Sequence, residues 1–249
     1  MEAFVDWVAV HPLLILLAAP AAAALCAWLA ARHVPSGPGA RPVLLWSLLA
    51  AGSGAVFLAL AAAMAGQPGE ARLDSRLASG LSLAMPAALL WTMSWFTYLG
   101  DRNLLTIIAV GMTVSLLWKR QWVTALACVA VTGGAGLLNL GLKHLFQRVR
   151  PEHLHGYASA DGWSFPSGHT SGALAVYGFA CYLAVRALPA PWRAPCVAGV
   201  AALVAAIGVS RVLLQVHYLS DVLAGIAISL AWLAACMAAL SAARQRRAR

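Results

Sequence analysis

Charge is what this 249-residue chain has least of. Only 10% of its residues are charged and eight are acidic, against about 25% charged in an average soluble domain. With 62% apolar residues and a mean hydropathy of +0.79, a soluble globular enzyme is excluded, and so is intrinsic disorder, which needs few apolar residues. Five cysteines (Cys26, Cys128, Cys181, Cys196, Cys236) lie scattered in apolar runs without CxxC or paired spacing. That spacing excludes a disulfide framework or a zinc ribbon, and they read as small buried apolar residues. Basic residues do not interleave with aromatics on one stripe, so the formal charge of +9 is no nucleic-acid signal. A basic n-region is missing too: Glu2 and Asp6 precede the first apolar run, so no cleavable signal peptide is expected.

What the chain has instead is long apolar runs. A membrane-spanning helix needs roughly 20 apolar residues, and seven stretches qualify: Pro12 to Ala31, Val43 to Ala65, Leu104 to Trp118, Trp122 to Leu142, Ser167 to Leu188, Pro195 to Val212 and Leu219 to Leu240. Alternating them places Arg32, Arg41, Lys119, Arg120, Arg186, Arg193, Arg244, Arg246, Arg247 and Arg249 on one side, which carries no acid and should therefore be cytoplasmic. All eight acids fall on the other side. An eighth uncharged stretch, Leu77 to Leu99, is also long enough to cross. Pro86 at its middle, with its serines, threonines and Trp91, Trp95, Phe96 and Tyr98, favours an interfacial or re-entrant segment. The expected architecture is an all-α polytopic membrane bundle of six to seven transmembrane helices. Residues 1–100 hold the N-terminal helices and interfacial segment, 101–241 the motif-bearing core, and 242–249 a basic cytoplasmic tail.

Ionisable residues near a span cost kilocalories to place there and so suggest function. Lys143 and Arg150-Pro151 form a K-x6-R-P spacing; seven residues are close to two helical turns, so both cations would share a face until Pro151 ends the helix. Snorkelling interface cations are the alternative. Pro166-Ser167-Gly168-His169 opens the fifth span, with Ser167 placed as an N-cap and Gly168 allowing close approach to an anion at the helix N-terminus. Ser210-Arg211, His217 and Asp221 straddle the last turn. On a helix the (i, i+4) pair would let Asp221 hold one imidazole nitrogen and free the other, which a nucleophilic or basic histidine requires. A purely structural His–Asp bond is the alternative. By the span count all three clusters share one side, and their cations, helix N-terminus, histidines and carboxylate match the needs of phosphoryl transfer.

In order and spacing, K-x6-R-P, P-S-G-H and S-R-x5-H-x3-D resemble the three-part signature of the type 2 phosphatidic acid phosphatase superfamily of integral membrane lipid phosphatases. The resemblance covers Leu104 to about Leu240. It implies His217 as the nucleophile forming a phosphohistidine, Asp221 as its orienting carboxylate, and His169 as general acid and then base. Lys143, Arg150, Ser167, Gly168 and Arg211 would hold the phosphoryl oxygens. No metal or other cofactor is expected, because the cations replace it. The implied substrates are phosphatidate, phosphatidylglycerophosphate or undecaprenyl diphosphate, met in the bilayer on the periplasmic or extracellular side of the cytoplasmic membrane. A lipid phosphotransferase using the same phosphohistidine, and a non-catalytic transporter keeping the pocket, are rival readings.

Other arrangements carry less. Gly136-x4-Gly141 departs from a P-loop because Leu142 interrupts G-K and His144 replaces Ser/Thr. His153-x-His155 with Asp161 could hold zinc, but head-group contact is the preferred reading. Gly168-x3-Gly172 permits close helix packing, the basic tail reads as a topology anchor at anionic lipid, and the sequence says nothing of oligomeric state.

Overall fold

The computed structural model describes residues 2–33, 40–66, 68–152 and 155–247. Among them the regular structure is helical: α1 (Glu2–Ala9), α2 (Pro12–His33), α3 (Ala40–Gly66), α4 (Pro68–Ala84), α5 (Ala87–Phe96), a 3₁₀ turn (Thr97–Gly100), α6 (Arg102–Trp118), α7 (Trp122–Phe146), α8 (Gly168–Ala187), α9 (Ala190–Leu213) and α10 (Leu219–Arg247). Six stretches of helix are long and apolar enough to cross a membrane: Pro12–Arg32, Pro42–Met64, Ala87–Trp118, Trp122–Phe146, Ala190–Leu213 and Leu219–Arg246. The fifth expected span, α8, is 20 residues long but is not among them, because His169, Thr170 and Ser171 lower its hydropathy. It can tolerate them because it faces protein. Thr170, Ser171, Ala173, Ala175, Val176 and Phe179 are buried against neighbouring helices. The helix predicted from Pro195 starts earlier, at Ala190, since Pro191 sits in its first turn, where a missing N–H costs nothing.

The N-terminal helices clasp the core from outside. α2 packs along α9 and α3 along α10. The α3 contact is antiparallel: Met64 Sδ lies 3.4 Å from Ser220 Oγ at one end, while Trp46 joins Met237 and Leu240 at the other. Leu77–Leu99 returns to the end where it started. Asp74, before it, binds Arg148 and Ser220, and Thr97, near its end, binds Arg211. Leu77, Leu81, Leu90 and Met93 share one cluster with Val209, Val212, Leu213 and Val216. The two ends of the bundle differ in charge. Arg120, Arg186 and Arg244 surround one small cavity, with Arg244 bonded to Tyr182 Oη and Thr124 Oγ1. Asp74 and Asp221 are gathered at the opposite end.

That second end is fixed by contacts to the start of α8. Ser167 N–H donates to Asp221 O (3.0 Å), Asn139 Nδ2 donates to Pro166 O (3.3 Å) and Ser171 Oγ (3.1 Å), and Ser171 Oγ donates to Gly225 O (3.3 Å). Glycines make the approach possible: a Cβ on Gly225 would lie 3.0 Å from Ser167 O and 3.1 Å from Ser171 Oγ, and one on Gly172 would lie 2.9 Å from Leu105 of α6. The Gly168-x3-Gly172 spacing thus serves packing within the chain. Gly225→Val should push α8 away from α10, lowering stability by about 1–3 kcal/mol and displacing Ser167 and His169; thermal unfolding in detergent, measured beside turnover, checks both.

Candidate active site

The three sequence clusters converge on one cavity of about 1000 Å³, lined by Lys143, Arg150, Gly168, His169, Arg211 and His217 at its polar end and by Leu105, Val110 and Leu137 along α6 and α7. They arrive by different local routes from those the sequence suggested. α7 does not run to Arg150. It ends at Phe146, where Gln147 adopts a left-handed conformation (φ 45°) and returns its N–H to Lys143 O. A residue preceding proline disfavours helix, so Arg150 before Pro151 belongs to the connecting loop. His217 also precedes its helix, since α10 starts at Leu219. Ser167 occupies the N-cap position of α8, but its side chain caps no N–H and instead accepts from Thr170 Oγ1 at 3.0 Å. Among the described residues, the first N–H groups of α8 receive no side-chain cap from Ser167.

Asp221 is fully buried. Its Oδ2 accepts from Tyr218 N–H (2.9 Å) and from Ser164 Oγ, and lies 3.4 Å from His217 Nδ1. Ser164 Oγ is itself 3.3 Å from Nδ1, so a serine inserts beside the expected His–Asp pair. On the other side of the ring, Arg150 Nη1 lies 3.1 Å from Nε2. A guanidinium only donates, so Nε2 must be the acceptor and Nδ1 carries the proton. Burial pulls the His217 pKa down to about 4, although Asp221 opposes this, so the imidazole is neutral at physiological pH.

The cations are occupied by the chain itself. Lys143 Nζ donates to Trp163 O and to Ser164 O (3.4 Å). Arg150 has five N–H donors, and they meet Gly162 O (2.9 Å), Asp161 O (3.0 Å), Trp163 O (3.2 Å), Val216 O (2.6 Å) and His217 Nε2. Arg211 differs. It is 3% exposed, with one bond from Nη1 to Thr97 Oγ1 (2.9 Å), and its buried Nε has no partner among the described residues. His169 is tightly packed: a Cβ on Gly100 would come within 3.2 Å of it.

Lys143, Arg150, Gly168, His169, Arg211 and His217 thus line one cavity, and Ser167 and Asp221 are bonded to each other beside it. Sequence reasoning missed Arg148, Asp74, Ser164 and Thr97. Arg148 Nη1 donates to Asp221 Oδ1 (2.6 Å) and Ser220 Oγ (2.7 Å), its Nη2 to Asp74 Oδ2 (2.9 Å), and its guanidinium lies 4.0 Å from the Tyr218 ring centroid. The signal available was Arg148's place inside K-x6-R-P, on the loop that carries Arg150. Of the zinc alternative, His153 lies outside the described residues. His155 is engaged through both nitrogens, Nε2 donating to Leu214 O (2.9 Å) and Nδ1 accepting from Tyr157 N–H (3.1 Å).

Known proteins carry the same framework. The chain is 33% identical over 142 residues to phosphatidylglycerophosphatase B of Bacillus subtilis (strain 168), which covers 55% of this chain and 68% of that protein. It is also similar to the crystal structure of a transmembrane PAP2-type phosphatidylglycerolphosphate phosphatase from Bacillus subtilis, with a TM-score of 0.66 and 29% identity, covering 81% of this chain and 98% of the other. Residues 121–245, which contain Lys143, His169, Arg211, His217 and Asp221, match the sequence model of the PAP2 superfamily. The chain belongs to the PAP2 superfamily.

Proposed function

We propose that the protein is a membrane lipid phosphatase that removes the terminal phosphate of phosphatidylglycerophosphate, or of a closely similar lipid phosphate, through a phosphohistidine on His217. The observation that carries this reading is the tautomer of His217. Its unprotonated Nε2 meets Arg150 at a cavity whose lining includes Lys143, Arg150 and Arg211, and Arg211 Nε is a buried donor that an anionic oxygen would satisfy. Substrate class is supported by the two similar proteins, both phosphatidylglycerophosphate phosphatases by name. The apolar length of the cavity along α6 and α7 suits a lipid tail.

In the first step Nε2 attacks phosphorus and the bond from phosphorus to the lipid oxygen breaks. His169, protonated in the substrate complex, delivers its proton to the leaving oxygen. In the second step a water attacks the phosphohistidine, His169 takes the water's proton, and the P–N bond breaks to return Nε2. Arg150 follows the same cycle. When Nε2 gives its lone pair to phosphorus, the Nη1–H that it had accepted is released at the position where phosphoryl oxygens arrive. Charge stabilisation thereby rises in the transition state rather than in the ground state. Buried cations supply the strong, charge-assisted contacts such a step needs. The acid-free, arginine-bearing end of the bundle faces the cytoplasm by the positive-inside rule, which puts the cavity mouth on the periplasmic or extracellular side.

Purified protein given phosphatidylglycerophosphate should release inorganic phosphate, whereas a phosphorylated acceptor without free phosphate would identify a phosphotransferase. His217→Ala should abolish turnover, and His169→Ala should lower kcat about 10²–10⁴-fold; full activity in His217→Ala ends the mechanism. Because His217 is held neutral down to a pKa of about 4, kcat/KM should keep its nucleophile through pH 6 and lose it as pH falls through about 4. An acid limb governed by His217 near the ordinary histidine value would contradict this. In a cysteine-free background, Ser159→Cys should react with an impermeant thiol reagent added to intact cells, while Arg246→Cys should react only after permeabilisation.

A further inference from the structure

The reaction as proposed uses one oxygen of Asp221 and leaves the other to the protein. We propose that Arg148, backed by Asp74 of α4, is a positioning residue for that reaction: it occupies Oδ1 of Asp221 and so leaves Oδ2 as the oxygen that orients His217.

Three observations meet here. Arg148 bridges two carboxylates, at 2.6 Å to Asp221 Oδ1 and 2.9 Å to Asp74 Oδ2, with side-chain exposures of 13%, 0% and 9% for Arg148, Asp221 and Asp74. Its planar fork is further fixed by Ser220 Oγ at 2.7 Å and by stacking over Tyr218 at 4.0 Å. Asp74 is held in turn from the α10 side, accepting from Ser220 N–H (3.3 Å) and Ser220 Oγ. The row of charges runs Asp74⁻, Arg148⁺, Asp221⁻, and then the neutral imidazole. A buried carboxylate without its cation would rotate, take a proton or draw in water, and each of these unfixes the Nδ1–H that the Nε2 lone pair depends on. Lysine could supply the charge but not the fork, because an ammonium cannot hold both carboxylates in one plane. Asp74 lies outside the family-matched residues 121–245, so the re-entrant N-terminal region supplies part of the machinery that orients the nucleophile. Neither Arg148 nor Asp74 lines the cavity, which separates their role from phosphate binding.

The proposal rests on the phosphohistidine reading, and its test has one arm that needs no substrate. With a short-chain lipid phosphate that the wild type turns over, Arg148→Met should lower kcat about 100-fold and Asp74→Asn about 10-fold, the range for partners that orient a catalytic ligand. KM should stay within about threefold, because neither residue touches substrate. Arg148→Lys should recover about tenfold of the Arg148→Met loss. Should Arg148→Met fail to fold, Arg148→Lys and Asp74→Asn carry the same comparison, with thermal unfolding in detergent recorded beside them. Separately, ¹⁵N spectroscopy of labelled histidine should show His217 protonated on Nδ1 in the wild type and a mixture of tautomers in Arg148→Met or Asp74→Asn. A rise in KM with kcat unchanged, or a His217 tautomer indifferent to all three substitutions, overturns the positioning role. A wild type that holds the tautomer yet releases no phosphate would instead count against the phosphatase reading.

Discussion

A carboxylate with no exposed surface cannot stay charged in a membrane protein unless the chain surrounds it with donors, and that condition on Asp221 organises one whole end of this molecule. Its four side-chain partners come from separate places: Arg148 and Ser164 from the α7–α8 connection, and His217 and the Tyr218 amide from the α9–α10 turn. Its main-chain carbonyl accepts Ser167 N–H, which ties the first residue before α8 to the first turn of α10. Buried polar groups in a low dielectric are strongly favourable when complete and costly when one member is lost. Helix packing, loop path and the orientation of His217 are consequently coupled through a single side chain.

The helices flanking this centre do a different job. α2 and α3 expose Leu13, Leu14, Leu17, Leu44 and Leu48, as lipid-facing helices should, and their contact with α9 and α10 needs little more than complementary apolar shape. α4 and α5 are unlike them. Their apolar faces close over the α9–α10 turn, and through Asp74 and Thr97 they touch Arg148 and Arg211. The N-terminal region is thus half lipid-facing jacket and half wall of the cavity-bearing end.

Much of this was legible in the sequence, for a physical reason. A bilayer imposes a length and a hydropathy on each span, so α2, α3, α6, α7 and α8 could be located to within about four residues at either end, whereas α10 runs seven residues beyond the expected Leu240. Chemistry-bearing residues stood out because charges are so scarce. What was not legible was the backbone path at helix ends. The seven-residue spacing of Lys143 and Arg150 suggested one continuous helix, yet a left-handed Gln147 ends α7 and the loop carries Arg150 back to the cavity. The (i, i+4) spacing of His217 and Asp221 likewise suggested a helical pair, whereas their contact is made from a turn and shared with Ser164. Asp74 and Arg148 escaped notice because they are 74 residues apart and pair only through tertiary folding.

The saturation of Arg150 has a thermodynamic consequence. With all five of its N–H groups engaged by carbonyls of residues 161–163, Val216 O and His217 Nε2, an anion cannot join this guanidinium without displacing an acceptor already in place. The chain therefore acts as a resident competitor for its own cation. Binding of an anion at Arg150 would be an exchange rather than an addition, its affinity discounted by the acceptors it must evict. The same acceptors would favour departure of any anion that had displaced them.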